Sequence, residues 1–259
     1  MPLILLTNDD GIEAEGLKCL EETLHDLAEI IVVAPDSERS AVSHGLTIHR
    51  RLTLRSVPPN HYVLDGTPAD CIIHALQEVI KAYPDLVISG INRGANLADD
   101  IMYSGTVAGA REASKHGIPS LAVSQAYDDR PVRYKDGARF VHSLVRTIFE
   151  QKLVSSLCLN INFPVGRIRG VKITRQGCVA HFPHFNYLAG QSEDEAGPEA
   201  ADIGKKSEIM LDFQAIQANY ISITPLQRDQ TDYAAVRSLM REAPRLFHGF
   251  RIPGFGLIG

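Results

Sequence analysis

The sequence predicts a doubly wound α/β protein built on a mostly parallel β-sheet. Three observations lead to this fold class. Several short runs rich in Leu, Ile and Val show little polar alternation, as in strands that are buried on both faces. These runs alternate along the chain with stretches of helical periodicity, which is typical of parallel sheets covered by helices. The length of 259 residues allows one large domain of this class.

The predicted strands are the apolar runs themselves. In chain order they cover residues 3–7, 30–34, 85–89, 120–124, 157–163, 171–175 and 220–224. One further segment, 50–66, has the sequence RRLTLRSVPPNHYVLDG. It predicts a β-ribbon inserted between the second strand and the helix that follows.

The predicted helices have apolar side chains three or four residues apart. The first, 16–27, places four leucines on one face. A second, 68–83, starts with Thr67 and Pro68, a residue pair that is favoured at helix starts. Two more helices cover the remaining gaps between the central strands, at 105–116 and 136–152.

The C-terminal part of the sequence has a different character. Residues 191–207, QSEDEAGPEAADIGKKS, are acidic and rich in Gly and Ala, which predicts an exposed loop or arm. Strand-like runs flank this stretch, and a monomer would leave their edges unpaired, so we expect the arm to mediate self-association. A last helix is predicted at 231–242, capped by Thr231, with three side chains facing inward: Val236, Leu239 and Met240.

Composition argues against several classes of protein. A net charge of −5 without a basic stripe does not suit a nucleic-acid partner. No apolar stretch approaches the roughly 18 residues needed to span a membrane. The N-terminal MPLILLT lacks a basic region, so we do not expect a signal peptide. The four cysteines form no CxxC pair, which predicts neither disulfides nor zinc and favours a reducing, cytoplasmic location.

Polar residues directly follow three of the predicted strands. The first strand ends in NDDG, the second in PDSERSA and the third in GINRGAN. Because ligands of open α/β sheets bind beyond the carboxyl ends of the strands, we expect these loops to form one site. Their oxygen donors are carboxylates, hydroxyls and amides, from Asp9, Asp10, Ser37, Ser40, Asn92 and Asn96.

The adjacent carboxylates of Asp9 and Asp10 are the main indication of a metal. Two neighbouring negative charges repel each other, and a divalent cation would offset that repulsion. Oxygen donors suit Mg²⁺, Mn²⁺ or Ca²⁺ better than zinc. The alternative is that Asp-Asp-Gly is a solvated turn, because Asp and Gly favour turns.

A second motif, Ser104-Gly105-Thr106, precedes a helix of small residues. Free amides at a helix N-terminus bind anions such as phosphate, and a glycine permits close approach. An ordinary cap and turn is the alternative. His44 could reach the site as an acid and Arg39 or Arg93 as phosphate clamps, although surface roles are equally compatible with their positions.

Four blocks of the sequence together resemble the SurE (stationary-phase survival protein) family of nucleotidases. The blocks are TNDDG, APDSERSAVSHGLTI, DGTPADC and SGINRGANLADDIMYSGTVAGAREA, and a later one, YISITPLQRDQTDYAAV, extends the match. The resemblance implies a metal-dependent phosphatase that hydrolyses nucleoside 5′-monophosphates, and also 3′-monophosphates, to nucleoside and phosphate. It implies a Rossmann-like core with a C-terminal β-hairpin arm.

The resemblance also implies roles for particular residues. One divalent cation per subunit, Mg²⁺ or Mn²⁺, would be held by Asp9, Asp10, Ser40 and Asn92. The substrate phosphate would contact Asn96, Ser104, Gly105 and Thr106, and the catalytic candidates are Asp9, Asp10 and Asn96.

For the whole chain, the resemblance implies a single SurE-like domain over 1–259. Within it, 178–225 would protrude as an arm exchanged between the subunits of a dimer or tetramer, and 231–242 would form the C-terminal helix. Nucleoside monophosphates and other copies of this chain are the implied partners, without nucleic acid or membrane.

Three alternatives stay open on the sequence alone. Asp9 or Asp10 could be a covalent aspartyl nucleophile, although such phosphatases usually show D-x-D rather than adjacent carboxylates. A phosphoacceptor signalling module would need a lone Asp after a later strand, where this sequence has Gly90-Ile91-Asn92. A non-catalytic nucleotide-binding protein is the third alternative. The GxGxxG, GxxxxGK[ST] and GxSxG motifs are absent, which argues against dinucleotide binding, P-loop kinases and serine hydrolases.

Overall fold

A computed structural model describes residues 1–151, 157–178 and 208–246 of the chain. Backbone contacts divide the chain into two compact units, Met1–Leu226 and Gln227–Gly259, where the sequence predicted one domain. The first unit holds all the described strands and every predicted site residue.

The first unit is built on a mixed, mostly parallel sheet with nine described strands. They are β1 Leu3–Thr7, β2 Glu29–Pro35, β3 Leu54–Val57, β4 His61–Leu64, β5 Leu86–Arg93, β6 Ser120–Gln125, β7 Cys158–Phe163, β8 Val171–Ile173 and β9 Ile221–Pro225. Their order in the sheet is β3-β4-β2-β1-β5-β6-β7-β9-β8. Only the β3–β4 and β7–β9 pairings of these strands are antiparallel. The predicted α/β fold class is confirmed.

Helices connect these strands, and the first two end earlier than predicted. They are α1 Glu15–Leu24, α2 Pro68–His74, α3 Gly105–Lys115, α4 Tyr134–Gln151, α5 Asp212–Gln217 and, in the second unit, α6 Tyr233–Leu246. A π-helical turn, Ala75–Val79, extends α2 before Ile80 becomes extended. Helix cannot continue to residue 83 as predicted, because the ring of Pro84 would clash with the Ile80 carbonyl. No helix in the described segments is both long and apolar enough to cross a membrane.

Both faces of the sheet are buried, as a doubly wound fold requires. In β1, Ile4 and Leu6 belong to the hydrophobic cluster that contains side chains of α1 and α4, whereas Leu5 belongs to the cluster that contains side chains of α2. Each fully buried Leu or Ile contributes about 1.5–3 kcal/mol to folding. This alternation explains why β1 is apolar at consecutive positions.

The predicted β-ribbon at 50–66 is confirmed, between β2 and α2 in the chain. β3 and β4 form a hairpin whose turn contains Pro58 and Pro59, and β4 pairs in parallel with β2. Val63 and Leu64 are buried by this pairing. The segment is therefore the edge of the main sheet, because two buried side chains favour docking over protrusion.

The described part of the predicted arm, 178–225, does not protrude. β9 lies between β7 and β8, and its Ile221 and Ile223 are buried. β9 pairs in parallel with β8, which precedes the predicted arm in the chain. Residues 179–207, which include the acidic stretch, lie outside the described residues.

Helix α6 differs from its prediction at two points. Its cap is Asp232 rather than Thr231, because the Asp232 carboxylate accepts from the N–H groups of Ala234 and Ala235, both at 2.9 Å. Its apolar side chains Val236, Leu239 and Met240 are exposed rather than inward-facing. Helical spacing identifies an apolar face but does not show which surface covers it.

Candidate functional site

The loops that follow β1, β2 and β5 meet the start of α3 at one edge of the sheet. The N–H of Arg39 donates to the carbonyl of Asp9 over 2.7 Å, and the N–H of Arg93 donates to Asp10 Oδ2 over 3.1 Å. The hydroxyl of Thr106 donates to Asp9 Oδ1. The two carboxylates therefore lie where three strand ends and one helix end converge.

Asp9 is packed against the N-terminus of α3. Its side chain is buried, with 5 % of the residue exposed. A Cβ atom added to Gly105 would lie 2.8 Å from Asp9 Cβ and 2.9 Å from Asp9 Oδ2, closer than atoms can approach without a shift. Glycine at position 105 is thus what lets the helix end approach the carboxylate, where the helix dipole favours a negative charge.

The negative charge of this pair is not neutralised by an ion pair within the described residues. The pKa of Asp9 is raised to about 6, because burial and, to a smaller extent, the charge of Asp10 raise it against a lowering by hydrogen bonds from Thr106. Burial also raises the pKa of Asp10, against the N–H of Arg93, and the Glu38 carboxylate adds to the increase. None of the ion pairs in the described part of the chain includes Asp9 or Asp10. A cation would suit this position.

Asn92 is brought to the site by an irregularity in β5. The pairing of β5 with β6 shifts register between Ser89 and Asn92, and Gly90 has φ +139°. A Cβ on Gly90 would lie 2.3 Å from the Val123 carbonyl oxygen, so only glycine fits. Asn92 Nδ2 donates to the Gly94 carbonyl over 2.9 Å, and this leaves Asn92 Oδ1 as the atom available to a cation.

Ser40 lies on the β2 loop, but its hydroxyl is directed to a neighbour. Ser40 is exposed, and its Oγ donates to Glu38 Oε1 over 2.6 Å. Glu38 in turn acts electrostatically on Asp10. Glu38 is a site residue that the sequence interpretation missed, although it stands in the same PDSERSA block.

Asn96 is held in a buried amide network at the ends of β6 and β7. Its N–H donates to Asn162 Oδ1 over 2.8 Å, and its Nδ2 donates to Ser124 Oγ over 2.8 Å. Its carbonyl accepts from Asn160 Nδ2 over 2.8 Å. The sequence interpretation missed Asn160, Asn162 and Ser124; their only signal was polar residues within apolar strands.

The phosphate side of the site has fewer free donors than the motif suggested. Ser104 caps α3 by accepting from the N–H of Val107 over 3.0 Å, and its own N–H donates to the Asp100 carbonyl. The N–H and the hydroxyl of Thr106 both donate hydrogen bonds to the Asp9 carboxylate. Within the described contacts, the N–H of Gly105 has no partner, so it is the backbone donor that a bound anion would meet.

The donor set fits a hard divalent cation. No group of three or more His, Cys, Asp or Glu side chains in the described part of the chain is arranged to hold a metal. A cation here would depend on the carboxylates of Asp9 and Asp10, completed by neutral oxygens such as Asn92 Oδ1. Oxygen donors of this kind, with positions left for water and substrate, suit Mg²⁺ or Mn²⁺.

His44 anchors the β2 loop instead of contacting the carboxylate pair. Its Nε2 lies 2.8 Å from Glu112 Oε2 on α3, and Lys115 Nζ lies 2.9 Å from Glu112 Oε1. Glu112 is 1 % exposed. Although burial opposes it, hydrogen bonds from His44 and Lys115 lower the pKa of Glu112 to about 2. This ionised carboxylate therefore ties the loop of Ser40 to α3.

Replacing this carboxylate is expected to cost stability. Glu112→Gln should lower the free energy of unfolding at pH 7 by about 1–2 kcal/mol, because buried partners lose a charged acceptor. Because the pKa of Glu112 is lowered from 4.5 to about 2 in the folded protein, the ionised carboxylate contributes its full stabilisation above pH 4.5. The difference in the free energy of unfolding between wild type and Glu112→Gln should therefore shrink as pH falls from 4.5 toward 2. Denaturant unfolding measures both. Glu78→Gln, which removes an exposed partner of His74, is the control, and equal losses in the two variants would contradict the assignment.

Comparison with known proteins agrees with this geometry. The family model of the survival protein SurE matches residues 4–181. A 5′-nucleotidase SurE from Syntrophotalea carbinolica is 40% identical over 246 residues, covering 92% of this chain and 96% of that protein. Another from Vibrio cholerae is 40% identical over 252 residues, covering 91% and 95%.

A solved structure shows the same fold. The crystal structure of the SurE protein from Aquifex aeolicus is similar to this chain with a TM-score of 0.77 and 34% identity, and the match covers 95% of this chain and 99% of that one. The carboxylate pair, the glycine-led helix start and these similarities lead to one conclusion: the chain belongs to the SurE family.

Proposed function

We propose that this protein is a metal-dependent 5′-nucleotidase that hydrolyses nucleoside 5′-monophosphates, and also 3′-monophosphates, to nucleoside and phosphate. The observation that carries the proposal is the pair of carboxylates, Asp9 and Asp10, facing a helix start whose Gly105 amide is free. The 5′-nucleotidase SurE proteins of Syntrophotalea carbinolica and Vibrio cholerae support this substrate class.

One divalent cation per subunit, Mg²⁺ or Mn²⁺, completes the proposed site. Asp9, Asp10 and the Asn92 carbonyl oxygen would hold it, with Ser40 as the further ligand once its hydroxyl turns from Glu38. Such a cation polarises a phosphate oxygen and lowers the pKa of water. It would also offset burial and the charge of Asp10, which together raise the pKa of Asp9.

The protein's own groups would bind the remaining phosphate oxygens. The N–H of Gly105 points a fixed dipole at the anion, from a helix end that favours negative charge. The Ser104 hydroxyl accepts from Val107 and keeps its proton for a phosphate oxygen. Asn96 has a second Nδ2–H besides the one given to Ser124. Thr106 holds Asp9 and acts on the substrate only through it.

The attacking group is one of two. In one mechanism a carboxylate of the pair accepts a proton from an attacking water, the water oxygen bonds to phosphorus as the bond to the nucleoside oxygen breaks, and the proton passes to that leaving oxygen. In the other, a carboxylate oxygen attacks phosphorus as the bond to the nucleoside oxygen breaks and that oxygen takes a proton from water, and a second water later hydrolyses the acyl phosphate to carboxylate and phosphate. A rapid-quench search for a phosphoenzyme distinguishes them.

The metal proposal is tested by Asp9→Asn and Asp10→Asn. Each keeps the size of the side chain and removes one negative charge, so each should weaken Mn²⁺ binding and nearly abolish phosphate release from AMP. The metal-free thermal stability should be unchanged or slightly raised, because like-charge repulsion is relieved. Calorimetric titration and phosphate assays with and without EDTA measure these effects.

Asp26→Asn is the matched control, because Asp26 pairs with His142 away from the carboxylate pair. It should bind Mn²⁺ and hydrolyse AMP like wild type. Unchanged Mn²⁺ affinity in both Asp9→Asn and Asp10→Asn would show that the doubled carboxylate is only a turn.

The phosphate proposal is tested at the start of α3. Gly105→Val should reduce turnover by more than tenfold, because a side chain there would collide with Asp9 and fill the approach to the Gly105 amide. Ser104→Ala loses one hydroxyl and a helix cap worth about 1 kcal/mol, and should retain more activity. Steady-state kinetics with AMP compare the two, and full turnover with a normal KM in Gly105→Val would contradict the proposal.

We also propose that the chain self-associates, as a dimer or tetramer, through the arm at 178–225. The support is the long polar stretch 191–207 between two sequence-distant strands of one sheet. A chain with this stretch shortened should elute later in sizing chromatography, because the native assembly is lost. An unchanged elution position, once corrected for mass, would contradict the proposal.

A further inference from the structure

Arg93 is the last residue of β5 and is fixed beside the carboxylate pair by its backbone. Its N–H donates to Asp10 Oδ2 over 3.1 Å. In the sheet it lies opposite Gln125 of β6, and the N–H of Gly94 donates to the Gln125 carbonyl over 2.9 Å. The side chain of Arg93 therefore starts from a rigid position at the edge of the candidate site.

The guanidinium of Arg93 rests on the ring of Tyr127. Its central carbon lies 5.0 Å from the ring centroid, a cation–π distance. The ring is also close to the backbone beside Arg93, since a Cβ on Gly94 would lie 3.7 Å from Tyr127 Cε1. An arginine stacked on an aromatic ring loses side-chain freedom but keeps its in-plane N–H donors for an anion.

Those donors are unused within the described residues. Arg39, Arg50 and Arg130 each form an ion pair with a nearby carboxylate. Arg93 forms no ion pair with any described carboxylate and is exposed. Its charge nevertheless lowers the pKa of Asp10 against the effect of burial, so the guanidinium lies within electrostatic range of that carboxylate without touching it.

Charge balance favours an anionic occupant. Two carboxylates and a phosphate dianion together outweigh one divalent cation, so a further positive group at the site would stabilise the bound substrate. An arginine fork can donate two parallel hydrogen bonds to phosphate, which lysine cannot.

We propose that Arg93 binds the substrate phosphate and that Tyr127 is the positioning residue that holds its guanidinium in place. This inference rests on the proposed function, because it takes the ligand to be a phosphate monoester bound beside Asp9 and Asp10. It adds a substrate-binding residue on the β5–β6 side of the candidate site.

The experiment compares Arg93→Lys and Arg93→Gln with wild type on two ligands, AMP and ribose 5-phosphate, which lacks the base. Loss of a charge-assisted contact should lower kcat/KM by about 10- to 100-fold for AMP. The kcat/KM for ribose 5-phosphate, or its affinity as a competitive inhibitor, should fall by a similar factor. Binding of inorganic phosphate, measured by calorimetry, should also weaken in both variants, and Arg93→Lys should retain more affinity for phosphate than Arg93→Gln.

Tyr127 is tested through its ring. Tyr127→Leu should raise KM for AMP by about 3- to 10-fold with a smaller change in kcat, because the guanidinium becomes mobile. Tyr127→Phe, which keeps the aromatic face, should recover most of that loss. The matched control is Arg169, whose guanidinium stacks on Tyr220 at 5.1 Å. Arg169→Lys and Tyr220→Leu should leave the KM for AMP and phosphate binding unchanged.

Two results would overturn the proposal. A loss confined to AMP, with ribose 5-phosphate and inorganic phosphate unaffected, would show that Arg93 contacts the base. Equal binding of phosphate by wild type and Arg93→Gln would show that Arg93 is a surface residue. If the wild-type protein released no phosphate from AMP, the proposed function would fail, while the phosphate-binding comparison would still decide the role of Arg93.

Discussion

The buried carboxylate of Asp9, pressed against the first turn of α3, is the constraint on which the site depends. It requires glycine at position 105, because a Cβ there would lie 2.8 Å from Asp9 Cβ. It uses the amide and hydroxyl of Thr106 to hold the carboxylate. The same contact fixes the helix that carries Glu112, and through Glu112 the loop of Ser40.

This constraint has an electrostatic consequence. A carboxylate that is buried beside a second carboxylate is costly, and the pKa of Asp9 is raised to about 6 as a result. None of the ion pairs among the described residues includes Asp9 or Asp10. A divalent cation and the Arg93 guanidinium would restore the balance, and phosphate would bind between them and the Gly105 amide. The two carboxylates therefore lower the stability of the metal-free protein, although the proposed function needs both of them.

Sequence patterns could predict the strands, the helix starts and the loops of the site because these depend on local features. Apolar runs mark β1, and NDDG marks its end. Patterns could not identify Asn160 or Tyr127 as neighbours of the site, because their roles arise from contacts between distant segments. The same limit explains why the pairing of the ribbon at 50–66 with β2 and the exposure of the apolar side of α6 could not be predicted, because periodicity does not identify the packing partner.

The most direct test of the central claim is an anomalous difference map from crystals soaked in Mn²⁺. The account predicts one strong peak per chain, within about 2.0–2.3 Å of carboxylate oxygens from both Asp9 and Asp10 and near Asn92 Oδ1. A map without a peak at this pair, or with Mn²⁺ bound only elsewhere on the chain, would contradict it.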